Sequence, residues 1–156
     1  MRNRIILAGA IVALSISMSA QSAGNAEVFS SKDVHAKMAE SAKQAQSSGS
    51  GGATFGDYKS HAIKFSARTK SGGAEVHQHF DDIMIVEKGS ATLITGGTVV
   101  NPQTHADGEI TGTGIAAGHV QTVSEGDIIH VPAGTPHQLM LRDGTDYRAL
   151  VIKVRE

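Results

Sequence analysis

His77 and His79 stand two residues apart at the end of a strand-like stretch, Ala74-Glu75-Val76. Side chains at that spacing on a strand point to the same face, so two imidazoles can converge on one ion. Asp81 and Asp82 follow at once and offer hard oxygen donors that suit a divalent site. Far downstream, Pro132-Ala133-Gly134-Thr135-Pro136-His137 sets a third histidine behind a stiff double-proline turn. Neutral imidazoles with one carboxylate suit Fe(II), Mn(II), Ni(II), Zn(II) or Cu(II), and suit Ca(II) poorly. The expected donors are therefore His77, His79, His137 and an aspartate, with Asp82 favoured, Asp81 the alternative and a three-histidine site a third possibility.

Two further residues are candidates for proton transfer. Glu75 precedes His77 by two, so it shares that face as a competing ligand or a general base, unless it is an outward strand charge. His130 lies two before Pro132 and shares a face with Ile128. It is read as a pocket-lining proton donor or a partner of a ligand, against the alternative of a half-buried strand residue. His105 and His119 fall in a Gly-rich stretch, where solvated loop histidines are the default. Asp127, after Gly126, reads as a turn residue.

These residues resemble a known family. Gly73, His77-x-His79, an acid and Gly89 are similar to the first cupin motif, and Gly126-x5-Pro132-x-Gly134-x2-His137 matches the second up to its histidine. The resemblance covers Tyr58 to Glu156 and implies a double-stranded β-helix whose interior holds a metal through three histidines and a glutamate. Carried over by position, His77, His79 and His137 are ligands, and counting back from Gly89 puts the acid at Asp82. The sequence departs from the pattern in three places. Asp82 replaces the usual glutamate and follows His79 one residue too closely. Gly73 stands too near His77, with Ser71 at its usual place, and Leu141 replaces an asparagine that closes the second motif.

The elements that must carry these donors are short strands. His61–Ala67 alternates, with Ile63, Phe65 and Ala67 on one face. Further strands are expected at 83–87, 91–95, 97–100, 120–123, 128–131, 138–142 and 147–154, with turns at Lys88-Gly89, Gly96-Gly97, Glu125-Gly126, Ala133-Gly134 and Asp143-Gly144. Asn101 to Gly118 reads as a long loop or an irregular hairpin. Residues 30–46 form the one convincing helix of the mature chain, with Ser31 as a plausible N-cap, Asp33 in the first turn and a stripe of Val34, Met38, Ala42 and Ala45. Ser47 to Gly52 (SSGSGG) reads as a flexible linker. The fold class expected is all-β, a jelly-roll barrel with one N-terminal helix: residues 24–57 helix and linker, residues 58–156 barrel.

Composition bounds the partners and the compartment. Arg2 and Arg4 precede an uncharged apolar run, Ile5 to Ile16, and small residues follow, which describes a secretory signal peptide over residues 1–23. The cut is expected between Ser19 and Ala26, and the product is periplasmic or secreted with no stable membrane anchor. Loss of residues 1–20 takes Lys plus Arg from 14 to 12 against 15 Asp plus Glu, so the net charge moves from −1 to −3. That balance argues against nucleic acid, which demands clustered Lys and Arg. With no cysteine, disulfides, thiolate sites and a cysteine nucleophile are excluded. With aromatics at 4 % the core must be aliphatic, and self-association as a homodimer is expected to bury a sheet face.

Function is left between two classes. One is a metal-dependent enzyme on a small polar metabolite, of dioxygenase, isomerase or lyase type, using open coordination positions in a dry barrel. The other is a binding module that captures a small ligand or the metal and turns nothing over; a metal-free structural barrel is a third reading. No nucleophile elbow, phosphate-cradling loop, dinucleotide fingerprint or helical zinc-protease pattern is present.

Overall fold

A computed structural model describes residues 24–156; the signal peptide reading lies outside the described residues. No described helix is long and apolar enough to cross a membrane.

Helix α1 spans Ser31–Ser48. The residue before it, Ser30, is the N-cap: its side chain accepts from the Asp33 N–H and its hydroxyl donates to the Asp33 carboxylate at 2.7 Å. That arrangement satisfies an orphan N–H and puts a negative charge on the positive helix end. Gly49, left-handed at φ 94°, closes the other end by donating to the Ala45 carbonyl.

The segment read as a linker is not one. Ser47 and Ser48 finish the helix, and Gly51 and Gly52 lie in a strand, β1 (Ser50–Asp57), that turns straight back beneath it. A Cβ added at Gly51 would stand 2.0 Å from the Ser41 carbonyl oxygen, so glycine lets β1 lie against α1. Composition that signals flexibility in a free chain here serves a close backbone approach.

Twelve further strands follow: β2 (His61–Arg68), β3 (Ala74–His77), β4 (Phe80–Lys88), β5 (Ser90–Thr95), β6 (Thr98–Val100), β7 (Gln103–Thr104), β8 (Glu109–Gly112), β9 (Gly114–Ala116), β10 (His119–Ser124), β11 (Ile128–Val131), β12 (His137–Met140) and β13 (Tyr147–Arg155). They form a five-stranded sheet, β1-β2-β13-β4-β11, facing a six-stranded sheet, β10-β5-β12-β3-β8-β7, while β6 and β9 pair separately. All the pairings are antiparallel. The result is the expected all-β double-stranded β-helix. The stretch 101–118 holds three short strands, of which β8 pairs with β3 and so belongs to the barrel wall.

Two apolar clusters hold this architecture. The first lies between the sheets, with Met84, Val86, Leu93, Val123, Ile129, Val131 and Tyr147 buried. Fully burying an aliphatic side chain such as Leu93 contributes about 1.5–3 kcal/mol. The second lies outside the barrel, where Ala42 and Ala45 of α1 cover Phe65 and Ala67 of β2. The apolar face of β2 therefore looks at the helix, and its opposite face, Lys64, Ser66 and Arg68, looks into the barrel.

Candidate functional site

The inner faces of the two sheets enclose a cavity of about 180 Å³. At its edge β3 and β12 run side by side, with His137 opposite Glu75. Donor atoms of Glu75, His77 and His137 all lie within 4.8 Å of one another, a cluster that could hold a metal ion. Asp82 stands beside the two histidines of this cluster: one carboxylate oxygen, Oδ2, lies 3.3 Å from His77 Nε2 and 3.9 Å from His137 Nε2.

Each imidazole is oriented by a bond on its far side. His77 sits opposite Glu109 in the β3–β8 register, and its Nδ1 is hydrogen-bonded to the Glu109 carboxylate. The Nδ1–H of His137 donates to the Thr135 carbonyl at 3.1 Å, since a carbonyl can only accept. Both rings thus present Nε2 to the cavity, with centroids 5.0 Å apart. The double-proline turn that aims His137 is itself tied down: Gly134, at φ 72°, donates to the His77 carbonyl at 2.9 Å, and Gly96 donates to the Pro136 carbonyl at 2.8 Å.

Burial and neighbouring charges set the protonation of these groups. Burial opposes a charged His77, yet its bond to Asp82 and the nearby carboxylates outweigh this and hold the ring above its ordinary value. Burial pushes His137 down. Burial also opposes a charged Asp82, but His77 and Lys153 overcome it and keep the carboxyl below the usual range. Lys153 Nζ donates to the second oxygen, Oδ1, at 2.6 Å. Arg68, also in the cavity lining, lies 3.7 Å from Glu75.

The expected donors fare unequally. His77, His137 and Asp82 come together. His79 does not: it is exposed in the turn after β3, with its ring beside Gly108. Asp81 faces outward, accepting from the Ala133 N–H at 2.7 Å and bonded to His130 at 3.0 Å. His130 is correspondingly exposed and does not line the cavity. On β11 the inward residues are Ile129 and Val131, so the face that His130 shares with Ile128 is the outer one. His105 and His119 are exposed as expected. Glu75 lies inside, as a member of the donor cluster. Counted from Glu75-x-His77, the interval to Asp82 widens from two residues to four, which removes the crowding seen when His77-x-His79 is taken as the pair.

Four cavity or support residues escaped the sequence reading: Glu109, Arg68, Tyr147 and Lys153. The Asp107-Gly108 pair before the alternating Glu109 and Thr111 is a hairpin signal that could have revealed β8. Arg68, with Lys64 and Ser66, forms a polar period-two row on β2 that only a helix on the other face explains.

No family model matches the sequence, and no curated protein matches it. Solved structures do resemble the fold. KdgF from Halomonas sp. superposes with a TM-score of 0.51 at 14% identity over 70% of this chain and 82% of that one. The polyketide cyclase RemF from Streptomyces resistomycificus gives 0.50 at 17% identity, over 70% and 67%. The Cnp3 cupin domain of Schizosaccharomyces pombe gives 0.51 at 10% identity, over 69% and 65%. At such identities the likeness speaks for architecture alone, and the architecture is a double-stranded β-helix like that of the Cnp3 cupin domain, here with one helix packed on its outside.

Proposed function

We propose that the cavity is the active site of a metal-dependent enzyme acting on a small polar metabolite, with Glu75, His77, Asp82 and His137 holding one divalent ion. One observation carries this reading: two imidazoles whose Nδ1 atoms are committed elsewhere turn Nε2 toward two carboxylates inside the barrel. The donor set fits Fe(II), Mn(II), Ni(II), Zn(II) or Cu(II) and is poor for Ca(II), which favours oxygen alone. A divalent ion bound there would supply Lewis-acid charge to polarise a substrate oxygen. The chain does the rest. Glu109 and the Thr135 carbonyl fix the rings, and Met84, Leu139 and Val151 give the cavity an apolar wall. Lys153 Nζ, donating to Asp82 at 2.6 Å, is held in the cavity lining, where it can give a hydrogen bond or a proton to a substrate oxygen. A similar fold carries an enzyme in the polyketide cyclase RemF. Export is part of the proposal and rests on Arg2, Arg4 and the apolar run that follows.

A second reading, a capture protein that releases its ligand unchanged, draws on the placement of the two expected proton-transfer groups. His130 faces solvent, and Glu75 belongs to the donor cluster and is no free base. The test loads the protein with Fe(II), Mn(II), Ni(II) or Zn(II) and incubates it with hydroxy acids, sugars and phenols under air. Substrate consumption that vanishes in His137→Ala supports the enzyme. Saturable binding of a compound recovered intact with every metal makes it a capture protein.

A further inference from the structure

Tyr147 is fully buried, lines the cavity, and its hydroxyl has no hydrogen-bond partner among the described residues. Buried hydroxyls are rarely left so, because an unpaired one forfeits its hydration without replacement. An orphan of this kind at a cavity wall asks for a ligand atom. Its cross-strand neighbour supplies the second half of the argument. Tyr147 pairs with Arg68 in the β13–β2 register, so both side chains project from the same inner face. The Arg68 guanidinium has an ion contact with Glu75, but at 3.7 Å it is longer than a hydrogen bond. A planar fork and a phenol, side by side and both underused, match two oxygens of one planar anion.

The charge of the cavity agrees. Its lining carries three cations, Lys64, Arg68 and Lys153, against two carboxylates, Glu75 and Asp82. Any divalent ion held by those carboxylates makes the interior more positive still. A neutral ligand gains no net Coulomb attraction from such a lining and cationic ligands are repelled, whereas an anion is drawn in. The remaining wall, Met84, Leu139, Ala149 and Val151, is apolar and suits a short hydrocarbon body.

We propose that the cavity takes a small carboxylic acid as its carboxylate, gripped by the Arg68 guanidinium and the Tyr147 hydroxyl. The assignment names the substrate class for the small-molecule site argued above and rests on that reading. It does not depend on the ion, because both groups belong to the protein.

The chain has two tyrosines and no tryptophan, so a Tyr58→Phe background leaves Tyr147 as the single reporter in near-ultraviolet absorbance and fluorescence. Pyruvate, lactate and malate are titrated into this protein, metal-free and Zn(II)-loaded, beside lactamide and inorganic phosphate. The expected result is a saturable tyrosine difference spectrum with the acids, and binding of lactamide weaker by tenfold or more. Arg68→Gln should weaken the acids by at least tenfold and Arg68→Lys by less, both with unchanged melting behaviour and unchanged zinc content. Lactamide binding as tightly as lactate, phosphate binding tighter than every acid, or acids binding equally to Arg68→Gln would each overturn the proposal. Full zinc uptake without any acid response overturns the carboxylate site alone. Acid binding by a chain that takes up no zinc supports the carboxylate site while removing the metal reading.

Discussion

Replacing Tyr147 by Phe removes one oxygen atom and nothing else, and the structure predicts that the free protein gains stability. The ring is wholly buried within the main apolar cluster, so its transfer free energy and its packing survive the change. The hydroxyl forms no bond among the described residues, so nothing is lost with it. What disappears is the cost of holding an unpaired hydroxyl away from water, about 1–3 kcal/mol. For a domain of this size that corresponds to a rise in melting temperature of roughly 3–10 °C. The measurement is calorimetric or urea-induced unfolding of the ligand-free variant against the parent, with the denaturant slope unchanged so that the shift reads as stability. A loss of about 1 kcal/mol or more would refute the reasoning, because it would show that the hydroxyl is bonded in the free protein. The same variant should bind small acids less well, so one substitution raises stability and lowers affinity.

The remaining predictions concern the same few side chains. His77→Ala, His137→Ala and Asp82→Ala should each strip bound metal and abolish the rise in melting temperature that metal gives, whereas His79→Ala and Asp81→Ala should leave metal content intact; elemental analysis decides. Glu109→Ala, which frees the far side of His77, should weaken metal affinity by about 10–100-fold without removing a donor, as read by competition with a chelator. Burial pushes the Tyr147 phenol up to about 12, partly offset by Arg68, while the unfolded chain ionises near 10. The Tyr147 contribution to stability should therefore be constant below pH 10 and fall between pH 10 and 12, where the unfolded state has released a proton that the folded state keeps, at up to about 1.4 kcal/mol per pH unit; a shallower fall over that range in Tyr147→Phe is the control. Finally, the native protein should begin between Gln21 and Glu27, as judged by intact mass, and retention of Met1 would count against export.

The helix and most strands were legible because local signals coincide there: a cap, an alternation, a Gly turn. The double-proline turn with His137 was legible for the same reason, since proline and glycine at fixed spacing restrict the backbone to a form that aims one side chain. The donor register was not. His77-x-His79 looks like a pair, but β3 ends at His77, so the period-two rule that would align His79 no longer applies. It holds one step earlier, between Glu75 and His77, where the strand persists. The inward face of β2 was left unassigned for a different reason. Alternation divides Ile63, Phe65 and Ala67 from Lys64, Ser66 and Arg68, but it cannot say which side is the barrel interior when a helix covers the other. His130 failed in the same way, its outward direction being set by the inward burial of Ile129 and Val131. Glu109 meets His77 through a strand pairing across 32 positions of sequence, which no local pattern encodes.

The seating of α1 on the outer face of β2 has a consequence for how this protein can change. A barrel strand ordinarily commits its inward residues to holding the fold, so altering what the barrel accepts also endangers the barrel. Here β2 is secured from behind by Phe65 and Ala67 under Ala42 and Ala45. Lys64, Ser66 and Arg68 are thereby relieved of structural duty and can be rewritten almost independently of it. Varying those three positions together, with the helix left untouched, offers a small and well-tolerated library through which selection, natural or imposed, could retune the cavity from one ligand to another.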